Sequence, residues 1–218
     1  MIKGIIFDLD GTLLLSMHVW DTVASCYLRR LGYEPDPDTD DIMKEASIQD
    51  AADYFKKRYG IEKSVDEIAS EVNYELEDAY FHTIQPKSGV LTLLETLKQK
   101  GIRMAAATAT ERYLIEPCVE RLGMRNYFSA FFTCAEVGQG KSEPLIYHLA
   151  SEALGLEKDE IAIFEDALYA AHTAKNDGYF LVGVYDDSMK FRQEELKSIA
   201  DIYVNSYDEV DVATLLCP

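Results

Sequence analysis

The first apolar run of the chain, Ile2-Lys3-Gly4-Ile5-Ile6-Phe7, is short and β-branched, and it stops at the acidic Asp8-Leu9-Asp10-Gly11-Thr12. Apolar residues at nearly every position predict a strand buried on both faces of a parallel sheet. From about Ser16 to His82 the pattern changes to long helical periodicities broken at Gly32–Pro37 and at Gly60, with no strand pattern between them. After Pro86 the two patterns alternate. A helix runs to Lys100, followed by a strand at 102–107, a helix near 111–123, a strand near 130–134 and a helix from Pro144 to Leu154. A strand at 161–164, a helix to Asn176 and a strand at 179–184 complete the alternation, and 202–204 has the length of an edge strand. Such an order predicts an α/β fold, a doubly wound parallel sheet with helices on both faces and a helical insertion after its first strand.

Ligands of open α/β sheets bind beyond the carboxyl ends of the strands. The residues there are Asp8 to Thr12 after the first strand, Thr108-Ala109-Thr110 after the second, Lys141 before the helix at 144, and Glu165-Asp166 after the strand at 161–164. All these clusters are polar. The chain as a whole carries 39 Asp plus Glu against 21 Lys plus Arg, a formal charge of −18. That charge repels a nucleic-acid backbone and excludes nucleic acid as the expected partner. It also means that a phosphate site needs a local cation to reverse the field. The four cysteines (26, 118, 134 and 217) have no C-x-x-C or zinc-like spacing and are expected as reduced thiols. The opening apolar run is too short for a signal peptide or a spanning helix, so no membrane association is expected and the expected location is the cytoplasm.

These residue types fit phosphoryl transfer. A carboxylate at Asp8 can attack phosphorus and form an aspartyl phosphate. Asp10 can protonate the leaving oxygen and then take a proton from water, and Gly11 offers the bend that turns it to the cleft. A hard divalent cation is expected near Asp8, with Asp166 and its neighbour Glu165 as further acids. The Thr108 hydroxyl and the Lys141 ammonium can hold the remaining phosphate oxygens. Taken singly, each feature has a plainer explanation. D-x-D is common on acidic surfaces, Thr108 is an ordinary loop hydroxyl, Lys141 a solvated lysine, and Glu165-Asp166 an acidic helix start. Their joint placement at the strand ends favours chemistry.

Phe7-Asp8-Leu9-Asp10-Gly11-Thr12-Leu13 resembles the first signature of the haloacid dehalogenase superfamily, in the β-phosphoglucomutase and phosphoglycolate phosphatase-like group. The resemblance covers nearly the whole chain. It implies a Rossmann-like core of residues 1–13 plus 86–218 with a helical cap at 14–85. Thr108 matches the second-signature hydroxyl that binds phosphate, with the backbone N–H of Ala109 beside it. Lys141, within Gly140-Lys141-Ser142-Glu143-Pro144, matches the lysine that neutralises nucleophile and phosphate. Glu165-Asp166 matches the acidic pair of the fourth signature, where Asp166 binds Mg2+ together with Asp8 and the backbone carbonyl of Asp10. Leu15-Ser16, Ala109, Ala167 and Ala170 depart from the usual pattern without removing a carboxylate.

The resemblance implies a magnesium-dependent phosphatase acting on a small phosphorylated metabolite through an aspartyl phosphate, and a monomer is compatible with it. Retention of Asp10 separates the chain from the dehalogenases. The alternative is a phosphomutase of the β-phosphoglucomutase type, which needs a second phosphate site in the cap. In the corresponding segment, Glu45-Ala46-Ser47-Ile48-Gln49-Asp50, Ile48 stands where the mutase has its arginine and Trp20 where it has a histidine. A receiver-like signalling domain is further off, being shorter and without a helical insertion, and a non-catalytic protein that keeps the fold is a third reading. Among the cap residues, packing accounts for Trp20 and for tyrosines 27, 54, 59, 74 and 80 by default. A surface role accounts for His18, His82, His148 and His172. Lys44 and Gln49 are candidate substrate contacts.

Overall fold

The computed structural model describes residues 1–41 and 48–218, so Lys44 and positions 45–47 lie outside the described residues. The sheet has six parallel strands: β1 (Gly4–Phe7), β2 (Arg103–Thr108), β3 (Ala130–Thr133), β4 (Ile161–Glu165), β5 (Phe180–Val184) and β6 (Ile202–Val204). Their order is β3-β2-β1-β4-β5-β6. The direction of winding reverses between β1 and β4, so the crevice that open α/β sheets use for ligands opens where Asp8 and Glu165-Asp166 leave these two strands.

Two compact units share the chain: residues 1–15 with 85–218, and residues 16–84. Leu14, Leu15 and Gln85, which the resemblance assigns to the helical cap, belong with the α/β unit. Leu14 bridges to Pro86, the Leu15 N–H donates to the Gln85 carbonyl at 2.9 Å, and the Lys87 N–H donates to the Leu13 carbonyl at 2.8 Å. The outgoing and returning segments are thus joined by backbone bonds before the helical unit begins.

In the helical unit, α1 (Val23–Arg30), α2 (Ile48–Tyr59) and α3 (Val65–Asp78) carry apolar faces that bury Tyr27, Leu28, Phe55, Ile68, Val72 and Leu76. Ser64 and Glu67 form a reciprocal capping box that starts α3. Trp20 is buried and donates from Nε1 to the Tyr80 hydroxyl at 2.8 Å, and the Tyr27 hydroxyl donates to Glu71 at 3.1 Å. Both aromatics therefore bind inside this unit. No strand occurs among its described residues.

The α/β unit adds α4 (Val90–Gln99), α5 (Arg112–Arg121), α6 (Leu145–Leu154), α7 (Leu168–Asn176) and α8 (Gln193–Ile199). All residues of β1 and β4 are buried, as strands covered on both faces must be. Strand residues alternate between faces. Ile6, Ala105, Ala107, Ile163 and Leu181 meet Ile146, Ala150, Leu168 and Ala171 of α6 and α7. On the opposite parity, Phe7 packs against Phe128 and Phe164, and Phe164 stacks on Tyr207. The sheet floor beneath the candidate site is thus close-packed, and small alanines in β2 let α6 approach it.

Candidate active site

The Asp8 N–H donates to the Phe164 carbonyl at 3.0 Å, which extends β1–β4 pairing by one residue and fixes the nucleophile candidate beside the end of β4. The chain then folds back. The Leu13 and Leu14 N–H groups both donate to the Leu9 carbonyl at 2.8 Å, and Gly11 takes φ +76°, a value that a side chain would strain. This tight loop carries Thr12 under Asp166. The Thr12 hydroxyl donates to Asp166 Oδ1 at 2.7 Å and accepts the Asp166 N–H at 3.1 Å, while the Thr12 carbonyl accepts the Tyr207 hydroxyl at 3.0 Å.

Asp8, Glu165 and Asp166 are all buried, and one carboxylate oxygen from each lies within 4.8 Å of the others. Lys141, 2% exposed, reaches into this group and donates to Asp8 Oδ1 and, at 2.9 Å, to Glu165 Oε2. The other Glu165 oxygen accepts the Ala167 N–H at 3.2 Å. With all three acids ionised and the lysine charged, the cluster is left with two uncompensated negative charges in a dry site. Burial first, and then the Asp8 charge, push Glu165 up to about 7 against the pull of Lys141. Burial likewise lifts Asp166 well above the usual carboxylate range, with the charges of Asp8, Glu165 and Asp186 adding to it. Burial alone would lower Lys141, but Asp8 and Glu165 outweigh it and hold the ammonium firmly protonated. Hard oxygen donors with excess negative charge are the donor set of a hard divalent cation such as Mg2+, and Asp8, Asp166 and Glu165 fit that ion.

Asp10 is treated differently. It is only partly buried, and its carboxylate stands apart from the acid cluster; Oδ2 accepts the Thr110 hydroxyl at 2.7 Å and lies 3.5 Å from the Thr108 hydroxyl. Ala109, between these threonines, is exposed and turned outward. The structure therefore brings Asp8, Lys141, Glu165 and Asp166 into one cluster and Asp10, Thr108 and Thr110 into a second. His18 and Gln49 are exposed.

The pattern of the sequence does not single out Thr12, Thr110, Tyr147 or the Lys87–Asp186 ion pair. Tyr147 is buried beneath the site and its hydroxyl lies 3.4 Å from Glu165 Oε2. Lys87 and Asp186 meet at 3.0 Å, close enough for Asp186 to bear on Asp166. Thr110 had a signal, since it stands in the same polar cluster beyond the second strand as Thr108, and Thr12 stands in the cluster beyond the first, with nothing local to pair it with Asp166. Tyr147, Lys87 and Asp186 come from segments far apart in sequence.

All four cysteines are free, and no helix among the described residues is long and apolar enough to cross a membrane. The haloacid dehalogenase-like hydrolase family matches residues 2–176. Over 188 residues, 84% of this chain and 86% of the relative, the sequence is 30% identical to validoxylamine A 7'-phosphate phosphatase of Streptomyces hygroscopicus subsp. limoneus. It is 29% identical over 189 residues, 81% of this chain and 82% of the relative, to a phosphorylated carbohydrates phosphatase of Thermotoga maritima. The fold superposes on the crystal structure of CbbY from Rhodobacter sphaeroides in complex with phosphate with a TM-score of 0.84, at 23% identity and covering 99% of each chain. With a family match over most of its length, and with phosphatases as relatives along it, this chain belongs to the haloacid dehalogenase-like hydrolases and is a phosphatase, a phosphoric monoester hydrolase of that family.

Proposed function

We propose that the enzyme is a magnesium-dependent phosphatase that releases phosphate from a small phosphorylated sugar or polyol through an aspartyl phosphate on Asp8. One observation carries this reading: Lys141 bonds both Asp8 and Glu165 inside a buried group of three acids, while Asp10, two residues from Asp8, is held outside that group by a threonine. One carboxylate is set up to attack and the other to exchange protons. An oxygen of Asp8 attacks phosphorus and the ester P–O bond breaks. The leaving oxygen takes the electron pair and a proton from Asp10. A water oxygen then attacks the phosphorus, its proton passes to Asp10, and the Asp8–phosphorus bond breaks to return the carboxylate and inorganic phosphate.

Lys141 offsets charge on Asp8 and on the phosphoryl oxygens, and Thr108 with the Ala109 N–H holds those oxygens. Mg2+ held by Asp8, Asp166, the Asp10 backbone carbonyl and Glu165 would supply neutralisation of the phosphoryl charge. The sugar or polyol class rests on the two phosphatases named above, whose substrates are phosphorylated carbohydrates and a phosphorylated validoxylamine. Free cysteines suit the reducing cytoplasm, where we place the enzyme. Phosphatase is preferred over phosphomutase because the cap residues aligned with a second phosphate site carry no charge for one: Ile48 is buried, and Trp20 is buried and bonded to Tyr80. The test is a panel of sugar and polyol phosphates assayed for phosphate release with Mg2+ and with excess chelator. Release from at least one such ester only with the metal is the expected result. Full activity in chelator, or no release from any member, overturns the proposal.

A further inference from the structure

Asp8 is locked by Lys141, but Asp10 has a partly exposed side chain next to a glycine turn, and a proton-transfer group must stay aimed to within a fraction of an ångström. What aims it is visible at the end of β2. Thr108 closes the strand and pairs in register with Thr133 of β3. The chain bends after the strand, and two residues on Thr110 is buried again while Ala109 is exposed. Thr108 and Thr110 are 0% and 2% exposed, so neither hydroxyl is a surface group. The Thr110 hydroxyl donates to Asp10 Oδ2 at 2.7 Å, a charge-assisted bond. Its backbone N–H donates to the Thr108 oxygen at 3.1 Å. With one lone pair of Thr108 occupied in this way, its proton is directed towards the Asp10 side, where Oδ2 lies 3.5 Å away.

We infer that Thr110 is a positioning residue for the phosphatase reaction: its hydroxyl fixes the orientation of the Asp10 carboxylate, and its N–H fixes the direction in which Thr108 presents its hydroxyl. The inference rests on the proposed role of Asp10 as the proton donor to the leaving oxygen. It differs from a fold-stapling role in one respect. A staple between the first loop and the end of β2 affects every substrate alike, whereas an aimed acid matters in proportion to how much the leaving group needs a proton.

Thr110→Val removes the hydroxyl, keeps the N–H and nearly keeps the shape; Thr110→Ser keeps both hydrogen-bonding groups. The two esters to compare are p-nitrophenyl phosphate, whose leaving anion needs little help, and phenyl phosphate, whose phenol has a pKa of about 10. Thr110→Val is expected to lose about tenfold more kcat/KM on phenyl phosphate than on p-nitrophenyl phosphate, the scale of one charge-assisted hydrogen bond, and Thr110→Ser to recover most of it. Asp10→Asn is measured in the same pair. If Asp10→Asn separates the two esters and Thr110→Val lowers both equally, or Thr110→Ser is as impaired as Thr110→Val, the positioning role is overturned. If Asp10→Asn itself lowers both equally, the acid role of Asp10 fails, and the inference with it.

Discussion

Replacing Lys141 with Met removes the positive charge from the acid cluster and keeps most of the side-chain length. The lysine side chain is 2% exposed, and those of its partners Asp8 and Glu165 are 8% and 1% exposed, so water cannot take its place. Removing one partner from a buried, hydrogen-bonded ion pair destabilises by about 3–5 kcal/mol, because the remaining charges are left buried and facing one another. That figure assumes both carboxylates stay ionised. Glu165 has an escape, since burial and the Asp8 charge already lift it from an ordinary 4.5 to about 7 with the lysine in place. A carboxyl group lifted in this way favours the folded state below its unfolded value and loses that advantage as pH rises through its folded value. Without the pull of Lys141 the Glu165 carboxyl group rises further still, so at low pH the variant relieves part of the penalty by taking up this proton, and at high pH it does not. Lys141 stays charged across the whole window, so the wild type keeps its bond to Asp8 even where Glu165 takes up a proton. Urea denaturation in excess chelator is therefore expected to show Lys141→Met destabilised by about 3–5 kcal/mol at pH 8.5 and by less at pH 5.5. A loss below about 1 kcal/mol at pH 8.5, or the same loss at both pH values, refutes the charge reasoning.

Three further outcomes follow from the same site. Chelation abolishes phosphate release and Mg2+ restores it, measured on any ester from the panel. Asp8→Asn forms no acid-stable-in-gel, hydroxylamine-sensitive phosphoenzyme, while Asp10→Asn loses on the order of 10²–10⁴ in rate, most for poor leaving groups, in steady-state assays. β-Glucose 1-phosphate supplied with a trace of the bisphosphate gives little or no glucose 6-phosphate relative to inorganic phosphate; faster glucose 6-phosphate formation than phosphate release reverses the choice between phosphatase and mutase.

How much of this was legible before the structure depends on the range over which each signal acts. Strand β1 declares itself because six neighbouring residues are nearly all apolar, and the alternation after Pro86 gives the doubly wound sheet by the same local logic. Asp8, Asp10, Thr108, Lys141 and Glu165-Asp166 are legible because each stands just beyond a strand end or just before a helix. Partner choice is not a local property. That Glu165 answers to Lys141 and Asp166 to Thr12 depends on contacts across 24 and 154 residues of chain. Trp20 shows both sides: packing is the default for an aromatic on a helix, and it is buried, but its indole N–H partner, Tyr80, lies 60 residues on and is not named by any local pattern.

The two aspartates of the first loop show how a single turn divides labour between identical side chains. Asp8 is still within the ladder of β1 and β4, so its carboxylate must enter the crevice beside Glu165 and Asp166, where only a cation makes it tolerable. Asp10 lies past the last ladder bond and before Gly11, whose positive φ turns the chain back. Freed from the ladder, its side chain leaves the crowded acids and meets the threonines of β2 instead. A side chain bound by Lys141 already has its charge offset by a buried cation, while the one held by a neutral hydroxyl is only partly buried and so keeps contact with solvent. The separation on which the proposed roles of nucleophile and acid rest is therefore produced by where strand pairing stops, and moving that stop by one residue is expected to exchange or abolish them.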